Sequence, residues 1–307
     1  MNNIIKSKGN HMNKKTKVAV CFFGHLRTLK KCLPFMRKNL LNLYDCDIFM
    51  HTWDRYDHAS KTWHNNQIKS PKFVSKDRIK RLLNITDEQI IVETQPVDTG
   101  DRVYHHANIV FSLFGLECVW YSMRSVNELR QKYAKSHNVN YDAVVFIRPD
   151  IFVNTPIDIT AVTSENDAIY YVGNLIETIG DIKQVKASDV FFWAKPDAID
   201  GIMKDMVPDI ENGQTVLLSP EGLFINKIIT QGYKPLLFAE YRYGRDFWIL
   251  RKSKFKFPSD IVTLHTRKNG LLVSILRKLQ PIFEIKINFF NRFSIVFSIG
   301  NPKTKEF

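Results

Sequence analysis

No uncharged apolar run in these 307 residues approaches the ~20 needed to span a bilayer. The first 17 residues also lack the apolar core of a secretion signal. Cysteine is scarce: Cys21, Cys32, Cys46 and Cys118 form no CxxC pair. That pattern excludes a zinc knuckle and suits a reducing compartment. With only 13 Gly and 12 Pro, no fibrous or long low-complexity segment is expected. What remains is a globular chain, 44% hydrophobic, able to bury one large core. The expected location is cytoplasmic, peripheral at most to the cytoplasmic face of the membrane.

Acid is missing from the first 17 residues, which carry five Lys. Residues 250–307 hold twelve Lys or Arg against Asp260, Glu284 and Glu306. The net charge of +13 therefore sits at the two ends, and the stretch between is close to neutral. Nucleic-acid enzymes usually carry their basic face on the folded body, so a nucleic-acid partner is not expected. Basic ends beside apolar residues suit an anionic membrane surface. In 267–280, Leu272, Ile275, Leu276 and Leu279 make one apolar face beside Arg267, Lys268, Arg277 and Lys278. Residues 1–16 read as disordered, 17–250 as one domain and 251–307 as a basic amphipathic tail that meets the inner-membrane surface.

Apolar patterning places the elements. KVAVCFFG (17–24) reads as a buried strand. Leu29, Cys32, Leu33, Met36 and Leu40 then recur at helical spacing, and a second strand covers 46–54. A helix capped by Ser75 is expected over 75–83, a strand over 89–94 and a long helix within 105–138. YDAVVFIRPDIF (141–152) reads as one strand, followed by strands at 168–173 and 189–196. A helix over 218–232 ends at Gly232. The sum is α/β: a Rossmann-like open mixed sheet flanked by helices.

In such sheets ligands bind outside the carboxyl ends of the strands. Gly24, His25, Arg27 and Thr28 follow the first strand, and His51, Trp53 and Asp54 end the second. Arg148 and Asp150 end the fourth. A glycine for close backbone approach, a helix N-terminus, an Arg and a His together suit a phosphate or diphosphate. Trp53 and Asp54 offer a plane and hydrogen bonds for a base or a sugar. The ordinary alternatives are a strand–helix turn for the first cluster and a packed Trp with a helix-capping Asp for the second.

VAVCFFGHLRT, DIFMHTWD, YDAVVFIRPDIF, SDVFFWAKPDAIDGI and SPEGLFINKIITQGY occur in that order. In order and spacing they resemble bacterial and viral glycosyltransferases of surface-polysaccharide loci, over about residues 17–240. The resemblance implies a GT-A-like fold, a nucleotide-sugar donor and a lipid-linked O-antigen or capsular glycan acceptor. The usual metal motif of that fold has two acids separated by one residue; here Arg148 stands in the first position. Asp150 then either ligates Mn²⁺ or Mg²⁺ with water completing the shell, or Arg148 itself clamps the diphosphate. A buried Arg148–Asp150 pair that fixes the strand end is the third reading. Asp189 and Glu221 are the candidate general bases toward an acceptor hydroxyl. A non-catalytic nucleotide- or glycan-binding module on the same fold is the alternative function.

Overall fold

The computed structural model describes residues 15–58, 72–106, 108–160, 165–172, 189–238, 241 and 243–250. It also describes backbone strands at 176–179, 182–185, 261–266, 284–288 and 293–298. The expected disorder of 1–16 and the amphipathic face of 267–280 fall almost wholly outside the described residues. The chain divides into two units after Leu250.

In the first unit β1 (Lys17–Phe23), α1 (Leu29–Asn39) and β2 (Asp45–Trp53) open the fold, followed by α2 (Lys76–Leu83) and β3 (Ile90–Glu93). A hairpin, β4 (Val103–His106) and β5 (Ile109–Ser112), precedes the long helix α3 (Leu113–His137). Then come β6 (Ala143–Ile147), β7 (Ile151–Val153), β8 (Ala168–Tyr171) and the pair β9 (Ile176–Ile179) and β10 (Ile182–Val185). β11 (Phe191–Ala194), α4 (Pro196–Lys204), α5 (Pro220–Thr230), β12 (Lys234–Leu237) and β13 (Phe247–Ile249) complete it.

Seven strands form one mixed sheet in the order β12-β8-β11-β6-β1-β2-β3. β11 runs antiparallel to both of its neighbours, and the other pairs are parallel. β1 is buried along Val18–Phe23 because helices cover both faces. Ala19, Cys21 and Phe23 pack with Trp120, Met123 and Val126 of α3 and with Ala198, Ile199 and Phe224 of α4 and α5. Fully burying each large apolar side chain contributes about 1.5–3 kcal/mol.

The long helix expected within 105–138 is α3, capped by the Ser112 side chain accepting from Gly115 N at 2.9 Å, and the β4–β5 hairpin precedes it. One expectation is corrected: the 141–152 run is two strands. Pro149 lacks an N–H, and Arg148–Ile151 closes a turn in which Ile151 N donates to Arg148 O at 3.2 Å. The turn sends β7 away to pair with β13.

The second unit, Arg251–Phe307, contains β14 (Ile261–Thr266), β15 (Glu284–Asn288) and β16 (Phe293–Ser298). They form an antiparallel sheet in the order β14-β16-β15. Among the described residues no helix is long and apolar enough to cross a membrane.

Candidate functional site

The parallel register of β1 on β6 pairs Phe22 with Ile147, so the segments after both strands leave from one edge. β1 leads outward to β2 and β3, while β6 opens the other half of the sheet. This is the switch point, where the strand order reverses and a crevice forms.

Gly24 begins the first segment with φ +84°, a conformation that costs a glycine nothing. A Cβ there would meet nothing within 4 Å, so the residue serves its backbone angle rather than close approach. Gly24 N donates to Ser122 Oγ at 2.8 Å, and Ser122 Oγ lies 2.7 Å from His51 Nδ1. Having accepted from Gly24, the hydroxyl directs its own proton to His51 Nδ1. Nε2–H of His51 then points to Glu93 Oε2 at 3.1 Å, which also accepts from Tyr121 Oη at 2.9 Å. Burial holds the His51 pKa down and keeps the ring neutral, consistent with that tautomer. His51 thus anchors the turn from inside the fold.

Arg27 comes next, with φ +40°. Non-glycine residues rarely adopt such an angle, and those that do concentrate at functional sites. Its Nη1 donates to Asp150 Oδ2 at 2.9 Å, its Nε to Asp57 Oδ1 at 3.1 Å and its Nη2 to His58 Nε2 at 3.0 Å. Arg148 forks onto the same carboxylate, Nε to Oδ1 at 3.0 Å and Nη2 to Oδ2 at 2.5 Å. Asp150 is fully buried. Burial works against its charge, but Arg148 and Arg27 outweigh it and hold its pKa at about 2. A guanidinium has five N–H donors. Arg148 spends two of them on Asp150, and its guanidinium makes no other hydrogen bond among the described residues.

His25 and His58 pack ring to ring at 4.5 Å beside these charges. Burial, with Arg27 nearby, lowers His25 to about 4, and burial with His25 and Arg27 lowers His58 to about 3. Both are neutral at pH 7. His25 Nδ1 lies 3.0 Å from the Arg55 carbonyl, which can only accept, so Nδ1 carries the proton. The unfolded chain binds protons on these residues below pH ~6.5, the ordinary histidine value, whereas the fold does not until near 4. Stability therefore falls as pH drops from ~6.5 to ~4, with unfolding taking up about two protons per molecule from this pair. Urea titrations across that range check the slope; a His25→Gln, His58→Gln double variant is expected to flatten it.

The expected Mn²⁺ or Mg²⁺ does not fit Asp150 as it is held here. These hard cations need oxygen ligands. Both Asp150 oxygens are taken by the guanidinium N–H groups of Arg27 and Arg148. No group of three or more His, Cys, Asp or Glu suited to a metal occurs among the described residues.

The other sequence candidates divide. Thr28 donates to the Leu250 carbonyl at 2.5 Å, tying the turn to the end of this unit. Trp53 is buried, stacked on Tyr121 and edge-on to His51, so its plane is not open to a base. Asp54 caps no helix; its Oδ2 accepts from Thr94 Oγ1 at 2.9 Å. Asp189 adjoins the Arg148 turn, because Arg148 N donates to Val190 O at 2.9 Å. Glu221 lies in the first turn of α5, behind the Ser219 cap. Burial raises the Tyr104 hydroxyl pKa, and the charges of Glu221 and Asp189 add to it, so both acids lie within electrostatic reach of that buried group.

Sequence reasoning missed Ser122, Glu93, Asp57, His58 and Tyr104. The dense run of titratable residues from His51 to His58 was a signal for two of them. A Ser set between Trp120 and Met123 of the apolar stripe of α3 was a signal for Ser122.

The fold and site together define an α/β protein with a mixed seven-stranded sheet, helices on both faces and a buried Arg–Asp–Arg cluster at its switch point. No protein-family model matches the chain, and no curated protein matches it.

Proposed function

We propose that this chain is a GT-A-like glycosyltransferase moving a sugar from a nucleotide-sugar donor to a lipid-linked O-antigen or capsular oligosaccharide. The carrying observation is Arg148. It is a preorganised guanidinium at the switch point with donors to spare, set beside Arg27. Guanidinium forks match the oxygens of a diphosphate and bond them strongly. The reversed strand within a mixed sheet and the five ordered motifs support the GT-A-like assignment.

In this reading Arg148 and Arg27 hold the donor diphosphate and stabilise its growing charge as the bond to the anomeric carbon breaks. Asp150 keeps both guanidiniums aimed. The acceptor oxygen forms the new bond to that carbon, and in an inverting reaction its proton passes to Asp189 or Glu221. The basic composition of the tail suits a cytoplasmic membrane face, where a lipid-linked acceptor resides.

A panel of nucleotide sugars in a thermal-shift assay, with and without Mn²⁺ or Mg²⁺, tests the reading. One donor class is expected to raise Tm by several degrees at about 100 Kd, equivalent to about 2.7 kcal/mol. A folded protein that responds to none of them would overturn it. Donor binding without transfer would make the chain a binding module instead.

A further inference from the structure

A groove of about 410 Å³ runs between α1 and α2, next to the switch-point site. Leu26, Leu29, Ile79 and Leu82 give it apolar walls, and Lys30, Arg78 and Arg81 a cationic rim. Leu26, Leu29 and Ile79 are buried, whereas the three cations are exposed. The cations of α2 are not equivalent. Lys76 and Lys80 are neutralised by Asp77 and Asp87. Lys30, Arg78 and Arg81 make no ion pair among the described residues. Among the described residues, no carboxylate and no side-chain amide lines the groove to read the edge of a base. Arg27 lines its inner end, which joins it to the Arg148–Asp150 cluster.

We propose that this groove binds a phosphorylated lipid, its phosphate on Lys30, Arg78 and Arg81 and its chain along Leu26, Leu29, Ile79 and Leu82. Apolar walls remove a chain from water at about 25 cal/mol per Å². Arginine donors bond phosphate oxygens in charge-assisted pairs. The concave shape suits a single chain better than a flat bilayer surface. That this lipid is the carrier of the glycan acceptor rests on the glycosyltransferase reading; the binding itself does not.

The test uses the full chain and farnesyl monophosphate, with farnesol, inorganic phosphate and phosphatidylglycerol vesicles as comparison probes, followed by calorimetry. Farnesyl monophosphate is expected to bind, with farnesol and phosphate each at least tenfold weaker. An Arg78→Glu, Arg81→Glu double variant is expected to lose at least tenfold, while Lys132→Glu on the exposed side of α3 binds as wild type. Thermal melts confirm folding, and the milder Arg81→Gln serves where the double variant unfolds. The proposal is overturned by unchanged affinity in the rim variants, by phosphate matching the lipid, or by vesicle binding without farnesyl monophosphate binding. A protein that answers to nucleotide sugars but not to this lipid loses the groove alone. One that binds the lipid but no donor loses the donor reading alone.

Discussion

Asp150→Ala is expected to lower stability by about 3–5 kcal/mol, the usual effect of removing one partner from a buried ion pair. Two guanidiniums, each with a side chain 14% exposed, would be left facing one another without their shared carboxylate. Asp57 pairs with Arg27. Asp150→Asn keeps the shape but loses the charge and two of the acceptor sites, so it is expected to fall between Ala and wild type. Chemical denaturation at pH 7 measures both. The same carboxylate marks the acid limit of the fold. Its pKa is about 2 in the folded state and ~3.9 when unfolded. Its contribution is complete above pH ~3.9 and is lost as pH falls toward 2, an effect on the order of 2–3 kcal/mol. That window lies below the one set by His25 and His58, so acid unfolding is expected in two separable stages. Asp150→Ala should lose only the lower one. A variant as stable as wild type would show that the carboxylate does not hold the two arginines together.

Arg148→Ala is expected to weaken nucleotide-diphosphate binding, and transfer with it, by 100-fold or more. Two lost charge-assisted hydrogen bonds at about 1.5–3 kcal/mol each account for that factor. The fold should suffer less than in Asp150→Ala, because Arg27 still pairs with the carboxylate. Arg148→Lys is expected to recover little, since a point charge cannot span both a carboxylate and a phosphate. Titrating Mn²⁺ or Mg²⁺ into Arg148→Ala separates the two roles proposed for this turn. Where the guanidinium does the work of a metal, added cation restores nothing. Full rescue by the cation would place a metal at the site instead. Calorimetry with a nucleoside diphosphate and initial rates with the matched donor provide the readouts.

Much of the first half of the fold was legible in the residues. β1, α1 and β2 announce themselves by continuous and helically spaced apolar positions. Ser75 caps α2 by accepting from Arg78 N at 3.3 Å, as its residue type suggests. Gly232, with φ +83°, follows the end of α5. The failures have equally physical causes. The β4–β5 hairpin went unread because cross-strand bonds, and no local period, hold it. The 141–152 run reads as one strand by its apolar residues, although Pro149 cannot donate to a ladder. Trp53 and His51 looked available for a ligand because burial from α3 leaves no mark on the local sequence.

The sequence by itself determined β1, α1, β2, α2 and α5, the neutral body with basic ends, and the residues that gather at the carboxyl edge of the sheet. These follow from periodicity, composition and strand polarity, all readable locally. Only the tertiary structure decided what Asp150 is for. Its second partner, Arg27, lies 123 residues earlier in the chain and reaches it from a left-handed turn. A charge buried between two distant guanidiniums is held by Coulomb attraction across the fold, and no local spacing encodes it.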